Sequence, residues 1–249
     1  MKLTALTLAL IAAGITHAQK QGSILFKETV KMEFQMELDS NMRAMLGDMP
    51  TENTTQHQLL FNEKASLFEL VKQPENQEKK LEEEGHRIEI KMDMPDEKTY
   101  CDLENARVIQ QREFMGKKFL IDTAFSKPEW KMTGKQKQIL GYPCSEAVKV
   151  KEGDTCYAWF TPKLPVSTGP HGLHGLPGMI LETTFMSGNV SLVAEKIDLV
   201  SVDEKMLVKP KEGKKVTHAQ YKKIVDEKTK EMQEQYGGKG NVIIKMETR

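Results

Sequence analysis

The sequence predicts a mainly β protein with few helices: a large curved antiparallel sheet and one amphipathic helix at the C-terminus. Three observations carry this. Apolar and polar residues alternate through most of the chain, as at Val30, Met32, Phe34 and Met36 of "ILFKETVKMEFQME", which is the period of a strand with one buried face. The alternating runs are short and are separated by turn residues, Asn62-Glu63-Lys64, Glu152-Gly153-Asp154 and Ser187-Gly188-Asn189. Such spacing builds hairpins and leaves no room for the crossover helices of a nucleotide-binding α/β fold. Only after residue 216 does the period lengthen.

In chain order, the first strand is followed by a short helix expected around 40–47. "NTTQHQLLFNEKASLFELVK" (53–72) then reads as two strands around a turn. Residues 73–91 are highly charged and contain a Pro and a Gly, so a solvated loop or a poorly ordered excursion is expected there. Short β runs follow at 97–102, 105–114 and 117–122, then a hairpin over 142–162. "MILETTF" (179–185) and "VSLVAEKIDLVSV" (190–202) are two more strands. "VTHAQYKKIVDEKTKEMQEQYGG" (216–238) has an N-cap at Thr217, apolar positions at Ala219, Ile224, Met232 and Tyr236, and a Gly237-Gly238 stop. That is one helix.

The N-terminus points to a compartment. Lys2, an apolar run from Leu3 to Ile15 and Thr16-His17-Ala18 form the three-part pattern of a secretory signal peptide, with Gln19 as the first mature residue. The apolar run is shorter than the roughly 20 residues of a spanning helix, so a soluble exported protein with a single domain over 19–249 is expected. The 36 basic and 36 acidic residues cancel, which gives no electrostatic argument for a nucleic-acid partner. In an oxidising compartment three cysteines allow at most one internal disulfide. In the 142–162 hairpin Cys156 lies opposite a residue near Lys149 and Cys144 opposite one near Thr161, several rungs away and beyond disulfide reach. A bridge, if one forms, involves Cys101; the alternative is three buried thiols acting as small hydrophobes.

"GPHGLHGLPG" (169–178) places Gly169, Gly172, Gly175 and Gly178 three residues apart, with Pro170 and Pro177 between them. So few triplets make no collagen, and the loop leads into a strand where a phosphate-binding loop leads into a helix. His171 and His174 are candidate metal ligands, although two imidazoles fall short of the three or four of a tight zinc site. The remaining possibility is a backbone brace, in which Leu176 and the prolines fix a chain that glycines allow to turn tightly. Glu182, just beyond the loop, is the one carboxylate placed to serve a hydrolytic site with the loop histidines. Met is abundant, and five of the 15 methionines fall within 31–50. Thioethers such as Met42 and Met45 suit Cu(I), but Met32 and Met36 share an apolar strand face, and a Met stripe at structural spacing also serves as core or as an adaptable binding surface.

"GLPGMILE" (175–182), with "AWFTPKLPVSTGP" (158–170) before it, resembles the GLPGLI family, exported proteins of Bacteroidota named after that hexapeptide; Met179 stands where the family usually has Leu. The resemblance extends through "KPEWKMTGKQKQILGYPCSEA" (127–147) and, more weakly, "LLFNEKASLFEL" (59–70). It implies a cell-envelope or periplasmic location and no established activity. "ILGYPC" also resembles lipoprotein-carrier-like proteins, whose incomplete β-barrel wraps a helix. From these observations the leading expectation is a non-enzymatic protein without a cofactor, presenting an apolar concave sheet to a lipid-like ligand, an exported polypeptide or an outer-membrane protein. A soft-metal carrier using Met and His is the second expectation, and a hydrolase the third.

Overall fold

The structure, a computed structural model, describes residues 20–31, 52–71, 79–83, 86–90, 97–127, 129–151 and 153–236. The signal-peptide segment, the helix expected around 40–47, the methionines Met32, Met36, Met42 and Met45, and the Gly237-Gly238 stop lie outside these residues. Twelve strands form one sheet that does not close into a barrel. They are β1 (Gly22–Lys31), β2 (Glu52–Phe61), β3 (Ala65–Leu70), β6 (Lys98–Asp102), β7 (Arg107–Phe114), β8 (Lys117–Ala124), β9 (Lys131–Ile139), β10 (Tyr142–Lys151), β11 (Asp154–Thr161), β12 (Met179–Phe185), β13 (Val190–Asp198) and β14 (Lys214–Val216). Their spatial order is β14-β8-β7-β6-β3-β2-β1-β13-β12-β11-β10-β9. One helix, α1 (His218–Tyr236), follows β14. The mainly β architecture with a C-terminal helix is therefore as the sequence predicts.

Alternation explains the core. On β1 the even positions Ile24 and Phe26 are wholly buried while Lys27 and Lys31 are exposed. Antiparallel pairing sets Ile24 opposite Leu59 of β2, and β13 brings Leu192 and Ala194 to the same cluster. That cluster reaches from Phe68 on β3 to Ile139 on β9, across most of the sheet. Each of its buried large side chains contributes about 2 kcal/mol. Strands so far apart in the sheet share one core because the sheet curves around an inserted segment, residues 162–178, whose Leu164 and Val166 belong to the cluster. Elsewhere Val202 and Leu207 cover Leu60 and Leu67.

Four expectations need correction. Residues 79–83 and 86–90 form β4 (Lys79–Glu83) and β5 (His86–Ile90), a separate two-stranded ladder; Ile88 and Ile90 already alternate with Arg87 and Glu89 beneath the charge. β9 escapes a hydrophobicity reading because as an edge strand it carries Lys131, Lys135 and Lys137 in place of apolar residues, a device that discourages edge-to-edge pairing. β14 runs parallel to β8, so the sheet is not wholly antiparallel. On α1 the buried anchor is Tyr221, packed on Phe119 and Ile121, whereas Ala219 is exposed.

Candidate functional site

The glycine-rich segment crosses the inner face of the sheet between β11 and β12. Its first half is extended, and alternate side chains point inward: Leu164, Val166 and Thr168 are buried while Pro162 and Pro165 are exposed. Its backbone is tied to β12, Leu164 C=O accepting from Met179 N–H at 2.9 Å and Thr168 C=O from Ile180 N–H at 3.0 Å. The Ser66 and Thr168 hydroxyls share a buried hydrogen bond of 2.6 Å that fastens the segment to β3. Leu176 is 2% exposed, among Ala147, Ala158, Phe160 and Ile180. Two glycines are required by space as well as by conformation. Gly172 (φ 77°) would place a Cβ 2.9 Å from Thr99 Cγ2, and Gly178 (φ 146°) would place one 2.1 Å from the carbonyl oxygen of Thr161. The apolar inner face expected to receive a ligand is therefore covered by the protein's own chain.

A single tight turn, closed by Leu173 N–H donating to Pro170 C=O at 3.0 Å, interrupts the extended segment at Pro170–Gly172. His171 sits there in the left-handed region, φ 51°. It is held by Glu28 of β1, whose Oε1 lies 3.2 Å from His171 Nε2 and whose Oε2 lies 2.6 Å from His57 Nε2 on β2. Phe68 packs against both imidazoles, stacked on His57 at 4.9 Å and edge-on to His171 at 4.8 Å between ring centroids. Burial alone raises the pKa of the Glu28 carboxyl, but hydrogen bonds and charge from His171 and His57 outweigh it and hold the group far below the usual carboxylate range.

This cluster is built for holding. In a charge relay the carboxylate takes one ring nitrogen and the nucleophile the other. Here Thr55 Oγ1, at 3.0 Å, and Glu28 Oε2 both meet Nε2 of His57, while His57 Nδ1 is buried with no hydrogen-bond partner among the described residues. No proton passes through the ring to a nucleophile in that wiring. What the cluster does is join β1, β2 and the crossing segment by charge-assisted hydrogen bonds.

His174 goes elsewhere. Its ring stacks on Phe125 with centroids 3.9 Å apart, and its Nδ1 bonds Gly172 C=O at 2.8 Å. It borders a cleft of about 390 Å³ with Lys20, Glu63, Ser126 and Ser167. The two loop histidines thus diverge, contrary to their joint candidacy as metal ligands, and among the described residues no group of three or more His, Cys, Asp or Glu is placed to hold a metal ion. Both rings have structural contacts. Glu182 is bound by Lys137 at 2.6 Å, and the same ammonium lies 4.3 Å from the centroid of Trp159. Cys101, Cys144 and Cys156 are buried thiols joined in no disulfide; burial pushes the Cys101 and Cys144 thiols up to about 11, which makes them poor nucleophiles.

Glu28, His57 and Phe68 were not among the residues that the sequence singled out. The signal was present: Glu28 occupies an even position of β1, in register with Ile24 and Phe26, and a charge in an apolar register calls for a buried partner.

The family model described as "N-glycanase peptide, N-terminal domain" matches residues 74–223, more than half of the chain. The protein belongs to this family. A solved structure of PNGF-II in space group P21 shares its fold, at a TM-score of 0.50 and 18% identity over 82% of this chain and 33% of that one; a second, in C2, matches at 0.49 and 19% over 81% and 32%. The chain thus spans about a third of the length of the solved chains it resembles. No curated protein matches its sequence. Among the described residues no helix is long and apolar enough to cross a membrane.

Proposed function

We propose that the protein is an exported, non-catalytic binding domain of the cell envelope that engages a protein partner through its outer surface. The observation that carries this is the filled interior: Leu164, Val166 and Leu176 occupy the inner face at 1%, 4% and 2% exposure, so a lipid could enter there only by expelling part of the core. The wiring of the Glu28 cluster through a single His57 nitrogen argues against hydrolysis, as does the commitment of Glu182 to Lys137. Family membership supports the same reading, because the matching model describes the N-terminal part of an N-glycanase and about two-thirds of the solved relative's chain lies outside the match. The resemblance of 127–182 to GLPGLI proteins and the leader-like residues 1–18 support export to the envelope. The soft-metal alternative rests on Met42 and Met45, outside the described residues, and no observation favours it.

The test has three arms. Expressed as the full chain, the protein should be recovered from the envelope fraction beginning at Gln19. It should release no N-glycan from a denatured glycoprotein, and a photoactivatable lipid should label none of Leu164, Val166 and Leu176 on the inner face. A photo-crosslinker at Val150 or Tyr157, which are 65% and 41% exposed, should trap one discrete envelope protein, competed by unlabelled protein. Glycan release, lipid labelling of the inner face, or crosslinks that competition does not reduce would each overturn the proposal.

A further inference from the structure

A second region offers a site of different chemistry, independent of the partner reading. Where the chain leaves the 199–208 segment it turns along the far edge of the sheet, and residues 209–217 enclose a cleft of about 560 Å³ against β7 and β8. Its apolar lining is Ile109, Leu120, Pro210 and Val216, and its cationic lining is Lys209, Lys211 and Lys215. The acids nearby are already engaged. Asp122, which also lines the cleft, is gripped by Arg107 at 2.8 and 2.9 Å, and Glu212 is bound by Lys118 at 2.8 Å. Lys209 has a distant counter-charge in Asp102, at 3.8 Å. Lys211 and Lys215 are exposed.

We propose that this cleft binds a small amphiphilic anion, a carboxylate or phosphate carried on an apolar chain. The charge balance selects the head group: three ammonium groups surround one carboxylate that is itself neutralised by a guanidinium, so a cation is repelled and an anion is attracted. The apolar lining selects the body, because each ligand methylene that leaves water to lie against it adds about 0.8 kcal/mol. Neither feature alone gives useful affinity. Exposed lysines hold simple anions weakly in salt, and an apolar patch of this size is small.

Calorimetric titration of the full chain distinguishes the two requirements. The probes are laurate, dodecyl phosphate, acetate and dodecyl maltoside, each below its micellar concentration. Laurate and dodecyl phosphate should bind at one site, and acetate and dodecyl maltoside should not. Lys211→Glu/Lys215→Glu should weaken laurate at least tenfold, and so, to a lesser degree, should the milder Lys211→Gln/Lys215→Gln. Lys223→Glu/Lys230→Glu, the same charge change at exposed positions of α1, should not. Preference for laurate over dodecyl phosphate, or the reverse, assigns the head group within the proposed class. Equal binding of dodecyl maltoside would show an apolar surface without charge selection. Undiminished laurate binding by both double variants would place the ligand elsewhere. Either result, or no binding of laurate and dodecyl phosphate, would overturn the proposal.

Discussion

The inserted segment 162–178 and the C-terminal arm 209–236 both cover the sheet, and they do so by opposite means. The segment fits by backbone: glycines touch the strands beneath, carbonyls bond β12, and alternate side chains are buried. The arm fits by side chain: α1 rests on Tyr221, 3% exposed, with Ile224 and Val225 partly buried beside it. Backbone fit tolerates no added atom. A helix held by one stripe can give locally while the sheet survives. Mutations should therefore hurt globally in the first region and locally in the second.

The largest effect is expected from Gly178→Ala. Its methyl group would meet Thr161 C=O at 2.1 Å, at a φ of 146° that side chains avoid. Overpacking and backbone strain together should cost about 4 kcal/mol. Gly175→Ala, at φ 87° but exposed, should cost about 1 kcal/mol from strain alone. Thermal melting of the two variants compares them directly. Equal midpoints would mean that strain, and not contact, makes the glycines necessary.

Next come the histidines, three residues apart in sequence and unlike in structure. His171→Ala strips a partner from the buried Glu28 carboxylate and should cost about 3 kcal/mol. His174→Ala loses a half-exposed stack on Phe125 and should cost about 1 kcal/mol. Glu28→Gln adds a pH signature. The folded pKa of Glu28 lies below its ordinary value of 4.5, so its stabilisation is complete above that value and declines as pH falls toward the folded one. The stability gap between wild type and Glu28→Gln should be wide at neutral pH and narrow below about pH 4.5. A gap that stayed as wide far below pH 4.5 as above it would show that Glu28 is not the anchor.

The same contrast explains what the sequence revealed. Hairpins such as β2–β3 and β10–β11 were legible because turn residues and period-two runs are local, and the turn alone placed Cys156 opposite a residue near Lys149, its partner in the sheet. The brace was legible in composition, since glycines and prolines state where backbone must approach backbone. Its partners were not. Glu28, His57 and His171 are brought together by a pairing of β1 with β2 and by a crossing segment more than a hundred residues later, and no local pattern encodes that meeting. β14 was missed for a related reason: three residues, two of them lysine, form a strand only because β8 offers an edge.

On the arm the expected losses are smaller. Tyr221→Ala should cost about 2 kcal/mol, less than the 3–5 of an enclosed aromatic, because α1 can undock without opening the sheet. Hydrogen exchange should then speed up along 218–236 while β1 and β13 keep their protection. Uniform acceleration in both regions would make the arm part of the core and remove the contrast.

The smallest effect tests the start of the helix. Thr217 Oγ1 accepts from Gln220 N–H at 3.2 Å, and Gln220 Oε1 accepts from Thr217 N–H at 2.9 Å. This reciprocal pair satisfies two groups that the first turn would otherwise leave to water. Both residues are exposed, so solvent can replace either bond, and Thr217→Ala should cost only about 1 kcal/mol. Gln220→Ala removes one bond of the pair and leaves the hydroxyl cap of a mobile threonine, so it should cost less. The double variant decides how the pair works: a loss smaller than the sum of the single losses means that each bond holds the other in place. Strict additivity would make them two independent caps, and the arm would then start on Tyr221 alone.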